Sequence, residues 1–245
     1  MSLFKQERDS NTHSLGLLTD VREYDDFMES IRSVCDMGCG MGHDIYWWAT
    51  QENRDDGTPY DYKCFGVDQT KRHISRNEHP NITYAKGDQG SYKPPEYIDL
   101  LWSHDAFQYA RDPVATIKHW HSIMNPGGMV VLSVPETAGM FYNRLRYKVP
   151  SNTLHHWSAI NLTYLLAAGG FDCSDGHCLR EDNYITMVAY KGEHPAKSPF
   201  DVDWYQLAEL GVVSPSIAQS IKTYGEVLQE KITWNWVTGK KSLMP

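Results

Sequence analysis

The chain has 245 residues, 41% of them apolar, enough to bury the core of one α/β domain with additions. Its 23 basic against 31 acidic side chains leave a formal charge of −8, which argues against nucleic acid as the main partner, because phosphate binding needs clustered Lys and Arg. Five cysteines, Cys35, Cys39, Cys64, Cys173 and Cys178, are odd in number and contain no C-x-x-C pair, so they form neither a disulfide framework nor a zinc motif.

The N-terminus is polar, lacks the apolar core of a signal peptide, and shows no period over residues 1–16, which are expected to be loosely structured. No apolar run approaches membrane-spanning length, so a soluble cytoplasmic protein without a membrane partner is expected. Leu17, Val21, Tyr24, Met28 and Ile31 then recur at helical spacing among acidic residues. Residues 31–37 read as a short strand running into VCDMGCGMGHD, and 43–51, with Trp47 and Trp48, as the helix after it. Turn formers fill 53–61, and a second strand is expected over 63–68. Further strands follow at 82–85 and 97–102.

Asp112-Pro113 opens a helix with an acidic cap and Pro in its first turn, and that helix stops before Asn125-Pro126-Gly127-Gly128. Residues 129–134 are continuously apolar, as in a strand buried on both faces. A helix over 159–168 stops at Gly169-Gly170, and a strand over 184–190 closes the sheet. Strands alternating with helices predict an α/β fold with a mostly parallel sheet. Past Gly192, Ser214-Pro215 caps a helix striped with Ile217, Ile221, Tyr224 and Leu228. That stripe is expected to dock on the same domain, a dimer contact being the alternative. The WNWVTGKK stretch has no period.

Three glycines within five residues, Gly38, Gly40 and Gly42, mark a backbone that bends sharply or is approached closely. A strand, a glycine turn and a helix in that order suit a nucleotide-like ligand at the carboxyl end of the first strand. The dinucleotide fingerprint G-x-G-x-x-G is not met, because His43 stands where its last glycine belongs, and no Gly-Lys-Ser/Thr follows. Neither NAD nor ATP is well served.

From about Ile31 to Tyr190 the chain resembles the class I S-adenosylmethionine-dependent methyltransferases. DMGCGMG resembles the family's first motif and GVD, ending at Asp68, the acidic end of its second strand. KGD, with Asp88, is similar to the adenine-contacting turn, and IDLLWSHDAF to the fourth strand and its loop. MNPGGMVVLSVPE and HHWSAINLTYLLAAGGF resemble the fifth strand and the final helix. The resemblance implies a Rossmann-like, doubly wound, mostly parallel seven-stranded sheet with helices on both faces and an antiparallel last strand. It also implies a helical segment over the cofactor site (1–30), a cofactor-binding domain (31–191) with a substrate cap (136–157), and a C-terminal helical extension (192–245), in a monomer or homodimer.

The implied cofactor is S-adenosylmethionine, with S-adenosylhomocysteine as product. Gly38 and Gly40 would lay bare backbone against it, with Cys39 and Gly42 completing the turn and the helix start meeting its carboxylate. Asp68, with Gln69, would accept from the ribose hydroxyls, Asp88 from the adenine amino group, and the Gln89 amide would lie near a ring nitrogen. Asp36 would orient the loop or meet the ligand ammonium, which a main-chain carbonyl of Ser103–His104 would also hold. In isolation Asp68 reads rather as a helix cap and Asp88 as a turn residue, and Cys39 reads as a small filler of the turn and not a nucleophile.

Methyl transfer from a sulfonium is an in-line displacement that needs no covalent protein intermediate and no metal. After the fourth strand, Ser103-His104-Asp105-Ala106 replaces the Pro-Pro-aromatic segment of amino-methylating DNA enzymes; the Pro-Cys of cytosine C5 enzymes and the paired glutamates of arginine methyltransferases are missing too. A small-molecule acceptor, methylated at oxygen or nitrogen, remains. His104 and Asp105 are the first candidates for base or orienting group, His104 otherwise forming a pocket wall. The cap holds Tyr142, Arg144, Arg146, Tyr147, His155, His156 and Trp157, suited, with Tyr109, to a substrate bearing carboxylate or phosphate. His155 and His156 are further base candidates, or helix caps. His119 and His121 face apart on their helix and do not make a metal pair. Position alone places His13 or Tyr24 of the N-terminal helix near the site. The alternatives are an RNA or protein methyltransferase, a non-catalytic cofactor-binding protein and, more distantly, an NAD-dependent oxidoreductase.

Overall fold

The computed structural model describes residues 5–23, 28–51, 60–70, 78–136, 153–175, 177–181, 184–236 and 241–243. Its central sheet is built from β1 (Ser33–Met37), β2 (Lys63–Asp68), β3 (Ile82–Lys86), β4 (Ile98–His104), β5 (Met124–Pro135), β6 (Phe171–Asp172), β7 (Cys178–Glu181) and β8 (Tyr184–Lys191). The order is β3-β2-β1-β4-β5-β8-β6, with β7 also paired to β8. β1 to β5 pair in parallel, and β8 runs antiparallel to β5. The α-helices among the described residues are α1 (Lys5–Arg22), α2 (His43–Ala49), α3 (Pro113–Ile123), α4 (Ala159–Ala168), α5 (Trp204–Glu209) and α6 (Pro215–Tyr224). A separate hairpin joins β9 (Thr233–Asn235) to β10 (Lys241–Leu243).

Local chemistry explains several boundaries. Asp112 accepts from the Ala115 amide ahead of Pro113, opening α3. Ser158 and Asn161 form a reciprocal capping box that opens α4. Two departures from expectation stand out. Among the described residues the sheet has eight strands, not seven, because β6 and β7, at two and four residues, are too short to show a period. And α1 begins at Lys5, inside the stretch expected to be loose. Its order comes from docking: His13, Ser14, Leu17, Leu18 and Val21 are all buried.

Alternation along β4 divides the core in two. Leu100 and Trp102 face a cluster with Val34, Trp48, Val131, Val188 and the apolar residues of α1. Leu101 faces a larger cluster with Phe65, Leu132, α3, α4 and the C-terminal Val213, Ile217, Ile221 and Trp234. The two tryptophans of the aperiodic stretch belong to this packing. Trp234 and Trp236 are fully buried, and the Trp236 indole donates to Asp20 of α1 at 3.0 Å.

Candidate active site

Beyond β1 the chain builds β2 and β3 to one side, then returns to build β4 and β5 on the other. The tips of β1 and β4 therefore flank the switch point, where ligands bind in open α/β sheets. The turn after β1 is pinned to β2, because the Gly38 and Cys39 amides both donate to the Val67 carbonyl, at 2.8 and 3.0 Å. Gly38, Gly40 and Gly42 have φ of 94°, 50° and 77°, a region that disfavours side chains. A side chain on Gly38 would collide with Ala106 Cβ, whereas nothing approaches Gly40 from that direction.

Gly42 has a neighbour of its own within the protein. The space beside it is filled by the Tyr84 hydroxyl, and the same ring lies 2.7 Å from where a Cβ on Gly66 would stand. Both glycines are bare to admit one phenol that props the turn from behind. Cys39 Sγ packs at the same place and is an inert filler: burial first, then Asp36 and Asp68, push its thiol far up.

The acidic residues hold the turns together. Asp68 Oδ2 accepts from the Gly40 amide at 3.1 Å, and Oδ1 from the Thr70 amide and hydroxyl at 2.7 and 2.9 Å. Asp88 Oδ2 accepts from Gln69 Nε2 and Oδ1 from the Gly90 amide, with Arg111 3.7 Å away at the surface. The Gln89 side chain turns inward: Nε2 donates to the Ala106 carbonyl at 3.2 Å, and Trp120 donates to its main-chain oxygen. It ties the Asp88 turn to the tip of β4. Asp36 is buried and its carboxyl is raised well above the usual range, by burial first and then by Asp44 and Asp68.

At the tip of β4, Ser103 Oγ donates to the Met37 carbonyl and locks the two strand ends together. His104 Nε2 lies 3.0 Å from Nδ1 of His13 on α1. Tyr184 of β8 stacks on both rings, with centroids 4.5 Å from His13 and 5.3 Å from His104. Burial holds the His104 imidazole down to about 4, Asp44 opposing and His13 adding to the shift. Asp44 in turn accepts from the Trp102 indole at 2.9 Å. Asp105 has a φ of 52°, strained for a non-glycine residue. Burial raises its carboxyl, against hydrogen bonds from Gln108 and Tyr184 that stabilise the charge.

Several expected site residues do other work. His155 Nε2 meets the Ala110 carbonyl at 2.8 Å, stapling its segment to the 107–109 turn, and His156 lies on the surface. Neither makes a hydrogen bond or ring contact with His104 or Asp105 among the described residues. Trp157 is core, stacked on Phe107 with centroids 5.2 Å apart. Tyr109 stands half-buried on the 107–109 turn. Tyr24, Tyr142, Arg144, Arg146 and Tyr147 lie outside the described residues. Asp44, Tyr84 and Tyr184 were not expected at the site, and no spacing in the chain marks them.

A family profile described as a methyltransferase domain matches residues 29–192. The chain belongs to that methyltransferase family. The methyltransferase is 25% identical over 112 residues to trans-aconitate 2-methyltransferase of Rhizobium leguminosarum, a match covering 46% of this chain and 42% of that protein. The chain therefore spans well under half the length of the curated relatives it matches. The YcgJ protein of Bacillus subtilis is similar in structure, with a TM-score of 0.54, 15% identity and coverage of 75% of this chain and 100% of that one. So is 1,6-didemethyltoxoflavin-N1-methyltransferase of Burkholderia thailandensis, bound to 1,6-didemethyltoxoflavin and S-adenosylhomocysteine, with a TM-score of 0.50, 13% identity and coverage of 79% and 92%. At these identities the two structures speak to the fold.

S-adenosylmethionine is the cofactor of this methyltransferase fold, and the residues present fit it. The open side of Gly40 leaves bare backbone facing free space. A carboxylate has roughly four lone-pair positions, and Asp68 engages three of them within the protein. Among the described residues' contacts, that leaves one for a ribose hydroxyl; a second would require Thr70 to let go. Among the described residues no group of three or more His, Cys, Asp or Glu could hold a metal, and no helix is long and apolar enough to cross a membrane.

Proposed function

We propose that this methyltransferase moves a methyl group from S-adenosylmethionine to an oxygen or nitrogen of a small-molecule acceptor, by in-line displacement. The reading is carried by one juxtaposition: a bare glycine turn at the tip of β1 beside a half-buried imidazole and carboxyl, His104 and Asp105, at the tip of β4. When bound, the cofactor supplies an electrophilic methyl on a sulfonium. Gly38 and Gly40 give the backbone surface, Asp68 accepts from the ribose and Asp88 from the adenine amino group. A main-chain carbonyl of Ser103–His104 faces the ligand ammonium. Ala106, against Gly38, and α1, against His104, exclude water from the reacting side. His104, neutral at physiological pH, takes the proton that an O–H or N–H acceptor loses, and strained Asp105 orients the acceptor. His155, His156 and Trp157 have no part in this reading.

Calorimetry with S-adenosylhomocysteine tests the binding half, and a methyl-transfer screen of pooled metabolites tests the rest. That screen includes trans-aconitate and 1,6-didemethyltoxoflavin, after the relatives' names. Formation of S-adenosylhomocysteine with a methylated metabolite is the expected result. Micromolar binding of NAD with none of S-adenosylhomocysteine would overturn the reading in favour of an oxidoreductase. Methylation of RNA or protein alone would replace the small molecule.

A further inference from the structure

Helix α1 brings more than apolar surface to the sheet. Its buried residues His13, Leu17 and Val21 share one face at four-residue spacing. Leu17 and Val21 join the cluster of Leu100, Trp102, Val131 and Val188. Trp236 holds the helix through Asp20. The buried face then continues into His13, whose Nδ1 meets Nε2 of His104 at 3.0 Å.

Two imidazole nitrogens at that distance impose a condition. One must carry the proton and the other must offer a lone pair. A doubly protonated pair would set N–H against N–H and two positive charges side by side, so the pair admits at most one charge. Among the described residues, the groups around it include Asp44, His13 itself and Tyr184. Asp44 of α2 favours charge on His104, and His13 of α1 opposes it. Tyr184 of β8 covers both rings and reaches Asp105 in the loop after β4. Nδ1 of His104 has no hydrogen bond among the described residues.

We propose that His13 is a positioning residue for His104: it holds the proton on Nε2 of His104, leaves Nδ1 bare for the acceptor, and makes docking of α1 a condition of proton transfer. The proposal rests on the methyl-transfer reading above. The acceptor gains the methyl carbon as the sulfonium becomes a neutral thioether, and its proton passes to Nδ1 of His104. The resulting imidazolium keeps its Nε2–H hydrogen bond to His13, and Asp44 meets its charge. Burial keeps the ring unprotonated until about pH 4, so at neutral pH it enters the step as a lone pair.

The test uses the full chain with ring-labelled histidines, followed by NMR for tautomer and titration, with and without S-adenosylhomocysteine. In the wild type His104 is the Nε2–H tautomer and titrates far below the ordinary 6.5. In His13→Ala the tautomer becomes mixed, because Nε2–H loses its acceptor, and the midpoint moves from its wild-type value. In His13→Asn, whose Oδ1 can accept from Nε2–H, the tautomer is retained. An Nδ1–H tautomer in the wild type, or a His104 unchanged in His13→Ala, overturns the proposal. Should His13→Ala not fold, His13→Phe refills the ring stack without a hydrogen bond and carries the same two readings. Calorimetry with S-adenosylhomocysteine on the same samples separates the failures. A wild type that does not bind it sinks the methyl-transfer reading; one that binds it, with His104 indifferent to His13, sinks the pair alone.

Discussion

Tyr84 and Gly42 claim the same space: the phenol of β3 lies where a side chain on the last glycine of the turn would stand. The bare position is thus set by a neighbour within the protein.

A double-mutant cycle measures that relationship. Gly42→Ala pushes a methyl into the hydroxyl and also strains a φ of 77°. It should cost about 2 kcal/mol or more and weaken S-adenosylhomocysteine binding by displacing the turn. Tyr84→Phe removes the atom in the way, so Gly42→Ala should cost less in that background. Urea unfolding of the four proteins gives the coupling, and strict additivity would show that the contact does not matter.

Gly38→Ala offers no such relief. Its methyl meets Ala106 Cβ, which sits on the backbone of the β4 tip and cannot swing aside. Ligand binding measured by calorimetry should be lost even in preparations that fold. Retained affinity would mean that the β1 and β4 tips can part without consequence.

Asp68→Ala removes both a ribose acceptor and the anchor of the Gly40 amide. S-adenosylhomocysteine affinity should fall about tenfold or more. Thr70→Val releases Oδ1 from the threonine hydroxyl. That variant should bind as well as the wild type or better, which separates the acceptor role from the turn-capping role.

The desolvated, half-buried His104 imidazole makes stability depend on pH in a stated direction. His104 titrates at about 4 when folded and near 6.5 when unfolded, so between those values the unfolded chain binds the extra proton. Its contribution is present above 6.5 and is lost as pH falls through about 4. His121 and His177, also lowered by burial, act the same way; Asp36 and Asp105, raised above 3.8, act oppositely. His104→Gln removes one term only. Its unfolding free energy should therefore change less than that of the wild type between about pH 7 and about pH 4.5, as measured by urea titration. Parallel curves would place His104 outside the titrating set.

Some of the molecule could be read along the chain without three dimensions. The strand Lys63–Asp68 and the helix Ala159–Ala168 have the bounds expected of them, because turn formers, caps and glycines act over a few residues. The glycine turn was legible for the same reason, since positive φ is a local demand. The start of α1 was not, because its order is supplied by the sheet it docks on. Nor were the roles of Trp157 and His155: an aromatic beside two histidines looks like a pocket, and only packing turned one into core and another into a staple.

What the amino-acid order determined by itself was the alternating α/β framework, its bend at Gly38–Gly42 and its placement of acids at strand ends, all set by interactions between near neighbours. What only the tertiary structure decided was which groups meet across it: Tyr84 with Gly42, Gln89 with Ala106, His13 with His104. Those pairs lie 42, 17 and 91 residues apart, and a contact between distant residues leaves no local period to read.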